Sequence, residues 1–400
     1  MSDVTSYGAL LDGVTDDSAA ILAAIASDGR ADIPYTPTGF VAGDIDLFAG
    51  QKIVGHGKPT WKIKAGASCG ISLKCFSVDR KAKVSEITFD GSLGGATAIR
   101  AATANAVVFN PRLHDLAFKY CVEAIGDEPS ASNWVVDMSV TDSTAYFTKG
   151  RQVYLRRTRG FLKWEDFRVD HTYNTWQTPW EGVRLEDVIG IDICRVDVLG
   201  PTQPTSTYQP ASIGFYLKGI NGSGKMSGYI HRLLVDNTRG PGIKIENFGN
   251  VKGEKLESYQ NYGPGIELNG VFNFAFSEVK ASGMVGTEAQ QPNAPADVSG
   301  ISLIGCSHGD ISAPESLFNT GHGIVVKNSL FCKIRGGCSN SNTKNGYVED
   351  GTSNRNLLAD MDSLSNGLNS AVQIGSASTI RDIMPNGGTR TGKLTGAVTV

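Results

Sequence analysis

Between residues 240 and 349 one short pattern recurs: Gly242-Ile243-Lys244-Ile245, Gly265-Ile266-Glu267-Leu268, Gly300-Ile301-Ser302-Leu303 and Gly323-Ile324-Val325-Val326, with Gly346-Tyr347-Val348 opening a fifth copy. The glycines are separated by steps of 23, 35, 23 and 23, and the long step is one period plus a 12-residue insertion that fits Thr287 to Val298. A fixed period of this size means stacked repeats. Within a short strand, the reading Gly, apolar, variable, apolar puts the apolar pair on one face and the variable residue on the other. No copy buries its apolar face alone. Stacking the copies along an axis does so, with Ile243, Ile266, Ile301 and Ile324 in one column and Ile245, Leu268, Leu303 and Val326 in the next. The expected fold is all-β: a single-stranded right-handed parallel β-helix. Leucine-rich repeats overlap the period but need a Leu and Asn scaffold missing here, and helical repeats need longer units with 3.6-fold patterning. The linking segments, such as Asn261-Tyr262-Gly263-Pro264 and Ser339-Asn340-Ser341-Asn342, read as turns.

Glycine makes up 48 of the 400 residues, roughly 12% against a usual level of about 7%, which suits a chain that turns every few residues. The net charge of −3 gives no global field for nucleic acid or an anionic membrane. Met1-Ser2-Asp3-Val4 lacks a basic start and an apolar run, and nowhere is there an apolar span long enough to cross a bilayer. A soluble chain without its own export signal is expected, made in a host cytoplasm. The seven cysteines are spread without CxxC spacing, so neither a disulfide framework nor a zinc site is expected, and buried free thiols are. No metal or other cofactor is expected.

Near the N-terminus, Thr15 is a natural N-cap, Asp16 and Asp17 complement the positive end of a helix dipole, and Ile21, Leu22 and Ile25 form an apolar stripe. This predicts a helix over about Asp16 to Ala26 that caps the first coil. The stretch Tyr7-Gly8-Ala9, Asp12-Gly13, Thr15-Asp16-Asp17 and Ala20-Ile21 resembles the opening signature of the pectate-lyase superfamily of right-handed β-helices, common in phage tailspikes and polysaccharide depolymerases. It departs from that signature at Leu10-Leu11. The resemblance implies a β-helical architecture and is silent about chemistry. The expected layout is an N-terminal cap over 1–50, coils over 51–370, and a terminal cap or inter-subunit tail over 371–400.

Lys52-Ile53-Val54-Gly55, Trp61-Lys62-Ile63-Lys64 and Ile87-Thr88-Phe89 read as early strands. Between Lys149 and Arg168 there are seven positive and two negative residues, followed by His171-Thr172-Tyr173-Asn174-Thr175-Trp176-Gln177-Thr178-Pro179-Trp180-Glu181. Aromatic faces stack on sugar rings and cations favour acidic saccharides. Tyr173, Trp176 and Trp180 are therefore candidate stacking residues, and packing beneath a loop is the rival reading. Gly182-Val183-Arg184-Leu185 and Gly214-Phe215-Tyr216-Leu217 are two further copies of the pattern. If the copies are in register, the residues two after each glycine form an outward ladder of Arg184, Tyr216, Lys244, Glu267 and Ser302. Those four after form another, of Glu186, Lys218, Glu246, Asn269 and Ile304. Glu246 and Glu267 then have backbones roughly 8 Å apart, within carboxylate reach of a glycosidic bond. They are the candidate acid/base pair, with Glu186 as the next carboxylate and Arg184, Tyr216 and Lys244 as substrate contacts. A solvated ladder of alternating charge without catalysis is the alternative, and Glu165, Asp166, Asp170 and Glu181 are rival carboxylates. Gly321-His322-Gly323 with Lys333-Ile334-Arg335 is faintly similar to a polygalacturonase signature but lacks that family's aspartate trio, and reads as structural.

These features, with the tailspike resemblance, lead to the expectation of a tailspike-like depolymerase that cleaves a bacterial capsular or exopolysaccharide by hydrolysis or β-elimination. A non-catalytic glycan-binding spike and a bacterial polysaccharide lyase are the alternatives. Expected partners are the polysaccharide, other virion tail proteins and two further copies in a homotrimer, with no nucleic acid and no membrane. The tail from Ser376 abandons the pattern, keeps Ile380, Ile383 and Val398, and has no obvious intrachain partner.

Overall fold

The reason that each coil opens on glycine is steric. A Cβ built on Gly323 would lie 1.9 Å from Ser339 Oγ and 2.6 Å from Asn342 Nδ2; on Gly346 it would lie 2.0 Å from Ser363 Oγ and 2.7 Å from Asn366 Nδ2. The serine and asparagine of the same repeat unit occupy the space that a side chain would take. Around that contact the chain, in a computed structural model, winds as a right-handed parallel β-helix with an N-terminal helix. The structure describes residues 2–94, 96–102, 107–127, 134–146, 151–171, 180–200, 212–220, 226–284, 298–373, 378–381, 383, 385, 394–395 and 398–399. It divides into two compact units, Met1–Asp197 and Val198–Val400.

In the second unit, the strands Phe215–Gly219, Ile243–Glu246, Ile266–Asn269, Ile301–Ile304, Ile324–Lys327 and Tyr347–Asp350 pair in parallel. Ile243 faces Ile266, which faces Ile301, Ile324 and then Tyr347 in turn, the register expected from the glycine spacing. This glycine-led sheet is matched by a long-strand sheet that includes Ser227–Asp236, Val251–Tyr259, Phe272–Ser277, Ser307–Ser312 and Lys333–Asn340. Between the sheets the chain turns through left-handed backbone at stacked positions: Asn247 at φ 50°, Gly270 at 63°, Gly305 at 62°, Asn328 at 52° and Gly351 at 68°. Glycine and asparagine are the residues that tolerate this conformation most readily.

The interior of the other turns, which lead from the long-strand sheet back to the next coil glycine, is polar. Asn261, Asn319 and Asn342 are buried, and Asn319 Nδ2 donates to Asn342 Oδ1 at 2.8 Å while Asn342 Nδ2 donates to Asn366 Oδ1 at 3.0 Å. Ser316 Oγ donates to the Gly323 carbonyl and Ser339 Oγ to that of Gly346. Residues that read as exposed turn formers thus form a buried column of amides and hydroxyls, each satisfied by its neighbour.

The first unit repeats the plan with less regular coils. Its counterpart of the glycine-led sheet, where glycine keeps its place only at Gly70 and Gly182, holds Ile45–Phe48, Cys69–Lys74, Thr97–Ala102, Ile125–Asp127, Arg151–Arg156 and Glu181–Val188. A three-stranded third face is made by Val108–Phe109, Val135–Val136 and Thr158–Arg159. Parallel pairing starts at Arg30–Ile33, which lies against Lys52–Gly55, ahead of residue 51. Trp61, Phe89 and Phe118 stack across successive coils at ring separations of 5.3 and 5.6 Å. All seven cysteines are free, and five are buried.

Three expectations are corrected. The N-terminal helix runs Ser18–Asp28, so Thr15 is not its cap; Asp12 accepts hydrogen bonds from the Thr15 N–H and hydroxyl instead. Leu22 is 42% exposed, and the buried stripe is Ala20, Ile21, Ala24 and Ile25. The tail does find partners within the chain: Leu394–Thr395 pairs antiparallel with Thr379–Arg381, and Val398–Thr399 with Ala371–Gln373. The expected insertion between Thr287 and Val298 lies almost wholly outside the described residues.

Removing one link of the amide column leaves buried donors and acceptors without partners, so Asn342→Ala is expected to cost about 1–3 kcal/mol. Gly323→Ala, which places a methyl against Ser339, is expected to cost a similar amount, about 1–3 kcal/mol. Urea unfolding of both variants checks this; midpoints equal to the parent's would show that the column contributes little.

Candidate functional site

Strand alternation turns every second residue of the glycine-led sheet outward, and in each unit this gathers charge. In the second unit, Tyr216 lies beside Lys244, and Lys244 beside Glu267, in register; Lys218, Glu246 and Asn269 form the parallel row. Lys244 Nζ stands 3.0 Å from Glu267 Oε1 and 3.7 Å from Glu246 Oε2. These two oxygens therefore lie no more than about 6.7 Å apart, near the lower end of the roughly 6.5–9.5 Å of inverting glycosidases and open to the roughly 5–5.5 Å of retaining ones. Tyr216 is 7% exposed and donates its hydroxyl to Glu246 Oε2 at 3.1 Å. Lys244, Glu246, Glu267 and Tyr216 thus form one half-buried cluster.

In the first unit, Tyr154 is in register with Arg184, Arg156 with Glu186, and Arg151 with Glu181. The Tyr154 ring is flanked by three guanidinium groups, with Arg151 Cζ at 4.2 Å, Arg156 at 5.4 Å and Arg184 at 5.7 Å from its centroid. Such contacts are favourable because the ring face carries negative charge. Glu186 accepts from Arg184 Nε at 2.9 Å and from the Tyr154 hydroxyl at 3.2 Å, and Glu181 pairs with both Arg151 and Arg184. Burial, and then the Glu186 carboxylate, raises the Tyr154 phenol above its usual range.

Two carboxyls that no sequence motif marks lie at this cluster. Burial pushes Asp127 up to about 7, although it accepts from the Arg156 N–H at 2.5 Å and has the Arg156 guanidinium nearby. Its Oδ1 is buried without a hydrogen-bond partner among the described residues. Burial also raises Glu123. Neither residue follows the coil glycine pattern, so only the three-dimensional pairing of Ile125–Asp127 with Arg151–Arg156 brings them forward.

Of the aromatic candidates, Tyr173 and Trp176 lie outside the described residues. Trp180 is buried, 6% exposed, with its ring 4.8 Å from that of His171; it packs inward in this structure, the rival reading of that stretch. Trp164 is also buried, edge-on to Phe167. The rival carboxylates are ion-paired: Glu165 with Lys163 and Arg195, Asp166 with Arg195, and Asp170 with Arg168. His322 accepts from the Asn345 N–H through Nδ1, a link between coils. Among the described residues no group of three His, Cys, Asp or Glu is placed to hold a metal ion, and no helix is long and apolar enough to cross a membrane.

No family model and no curated protein matches the sequence. Solved structures do match. The A-module of the mannuronan C-5 epimerase AlgE4 from Azotobacter vinelandii is 16% identical with a TM-score of 0.54, over 94% of this chain and 99% of that one. Pre-mature gene product 12 of bacteriophage phi29 is 14% identical with a TM-score of 0.58, over 100% of this chain. This chain spans 58% of the phage protein's length. At these identities the likeness shows the fold alone, a right-handed parallel β-helix.

The raised Asp127 gives a pH test. In the fold its carboxyl keeps its proton up to about pH 7, whereas in the unfolded chain it releases it near 3.8. Folding therefore takes up a proton between those values, and this residue's contribution to stability falls as pH rises through that window. Asp127→Asn removes the dependence. Its unfolding midpoint relative to the parent's should shift in the variant's favour as pH is raised from about 4 to about 7; a constant difference would mean that Asp127 is ionised in the fold.

Proposed function

We propose that this chain is a tailspike-like depolymerase acting on an acidic bacterial surface polysaccharide, with Glu246 and Glu267 as its acid/base pair. The observation that carries the reading is Lys244 Nζ standing between the two carboxylates on an outward face. A cation there can receive the carboxylate of a uronic acid while one glutamate takes or returns a proton, in hydrolysis or in β-elimination. Tyr216, bonded to Glu246, holds that carboxylate in place. In the first unit, Arg184 with Arg151 and Arg156 around Tyr154 supplies anion-binding capacity, and Glu186 is a further acid/base group there. Tyr173 and Trp176 are proposed as stacking residues, and Trp180 as the packed anchor of their segment. In support of this reading, the epimerase with the same fold acts on mannuronan, an acidic polymer, and the phage protein has that fold in a virus.

One observation favours a second reading, a glycan-binding spike without cleavage: both glutamates already engage Lys244, and Glu186 engages Arg184. Incubation with uronate-bearing capsular polysaccharides, following reducing ends and the absorbance of unsaturated uronate, separates the two. Cleavage is expected, and Glu246→Gln or Glu267→Gln should lower turnover by about 10²-fold or more with the urea midpoint unchanged. Near-normal turnover in both variants overturns the assignment, and binding without cleavage selects the second reading.

The proposed assembly is a homotrimer with parallel axes in a virion tail. Sedimentation should give about three times the 42.5 kDa of one chain; a monomer at micromolar concentration rejects it. Because the tail pairs within its own chain, deletion of residues 376–400 tests whether it contributes to the assembly at all.

A further inference from the structure

The long-strand sheet of the second unit carries a cleft of about 320 Å³ on its outward face. It shares no residue with the Lys244 cluster. Its origin is a run of small residues in two ladders. One ladder reads Tyr229, Lys252, Ala275 and Asp310, and the other reads His231, Glu254, Ser277, Ser312 and Arg335. The alternate residues point into the core, as Ile230, Phe276 and Ile311 do, each 3% exposed or less. Ala275 and Ser277 therefore form a low floor between two walls. Tyr229 and Glu254 stand on one side, and Asp310 and Arg335 on the other.

We propose that this cleft binds a short segment of neutral oligosaccharide. Its volume sits at the lower end of the range of about 300–1,000 Å³ for small-ligand sites, and its walls combine the groups that a polyol needs. Tyr229 is 44% exposed and near-parallel to the His231 ring at 6.4 Å, so an aromatic surface borders the cleft for the C–H face of a sugar. Glu254 and Asp310 are carboxylates that accept from sugar hydroxyls, and charge-assisted hydrogen bonds are the stronger kind. Each is already oriented: Glu254 by the Tyr229 hydroxyl and His231, Asp310 by Arg335 through contacts of 3.2 and 2.9 Å.

The charge balance decides between sugar classes. The cations that line the cleft, Lys252 and Arg335, are equalled in number by the carboxylates Glu254 and Asp310, and Arg335 is paired with Asp310, so the lining carries no surplus positive charge for a uronate. A neutral chain meets acceptors and a ring without an uncompensated charge. This site does not depend on cleavage at Glu246 and Glu267, and it would hold a neutral chain whether or not the protein cuts an acidic one.

The test uses the full chain on a printed array of malto-, cello-, manno- and galacto-oligosaccharides of two to six sugars beside oligo-mannuronates and oligo-guluronates, with titration calorimetry on the members retained. At least one neutral series is expected to bind. Tyr229→Ala and Asp310→Asn should each weaken it about tenfold, Ser277→Trp should abolish it by filling the floor, and Ser277→Ala should leave it within about twofold. All three positions are on an outward face, so far-ultraviolet circular dichroism of the four variants should match the parent's. Retention of uronates alone, retention of no neutral member, or neutral binding that survives both Tyr229→Ala and Ser277→Trp would overturn the proposal. None of these results bears on the cleavage assay, so the two readings fail separately.

Discussion

The contact between a coil glycine and the serine–asparagine pair of its own repeat unit is the constraint on which the second unit depends. Ser316, Ser339 and Ser363 each donate to the carbonyl seven residues on, and the asparagine three residues after each serine donates to that serine's oxygen. The glycine cannot carry a side chain because those two groups are in its place. Each asparagine also accepts from the coil before it, so the turns of neighbouring coils are tied by amide bonds as well as by the strands. Unpaired, these buried groups would be costly. Paired, they admit a single register, and a slip of one residue would both break the column and turn the apolar face outward.

That register is what places the chemistry. With Ile243 and Ile266 buried in line, Lys244 and Glu267 have no alternative to lying side by side outside, and Glu246 comes within reach of the same ammonium. In the first unit the same rule sets Tyr154 next to Arg184 and Arg156 next to Glu186. Cations and carboxylates neighbour one another on both faces, and opposite charges on adjacent strands stabilise each pairing. The long-strand sheet differs. Ala275 and Ser277 interrupt its outward rows, and the interruption leaves a cleft in place of a flat charged surface.

Much of this was legible in the sequence because it is periodic. The glycine spacing alone located five strands of the second unit and their partners to the residue. The Ser-x-x-Asn-x-x-x-Gly spacing is equally periodic, but Ser, Asn and Gly are also the residues of exposed turns, and composition does not say whether a turn is wet or buried. The helix start was misplaced because Asp12 competes successfully for Thr15, a local hydrogen bond that a capping rule does not weigh. Asp127 was passed over because its raised pKa comes from burial, which arises from coils beyond its own strand. Trp180 read as a platform from its polar, aromatic neighbours, whereas the ring is packed on His171. The outward charges were the most legible residues of the candidate site, since strand alternation exposes them. The cleft was the least, since it consists of what its floor lacks.

The antiparallel return of the tail has a topological meaning. A parallel coil presents, at its open end, the same row of amide and carbonyl groups that it received from the coil before, so nothing in the repeat itself limits how many coils can follow. Leu394–Thr395 and Val398–Thr399 run the other way, so a further coil could continue the stack only by making the sheets mixed. Reversal of chain direction therefore interrupts the parallel repeat, and strands of two residues leave only a short edge there, of the kind that limits edge-to-edge pairing between molecules.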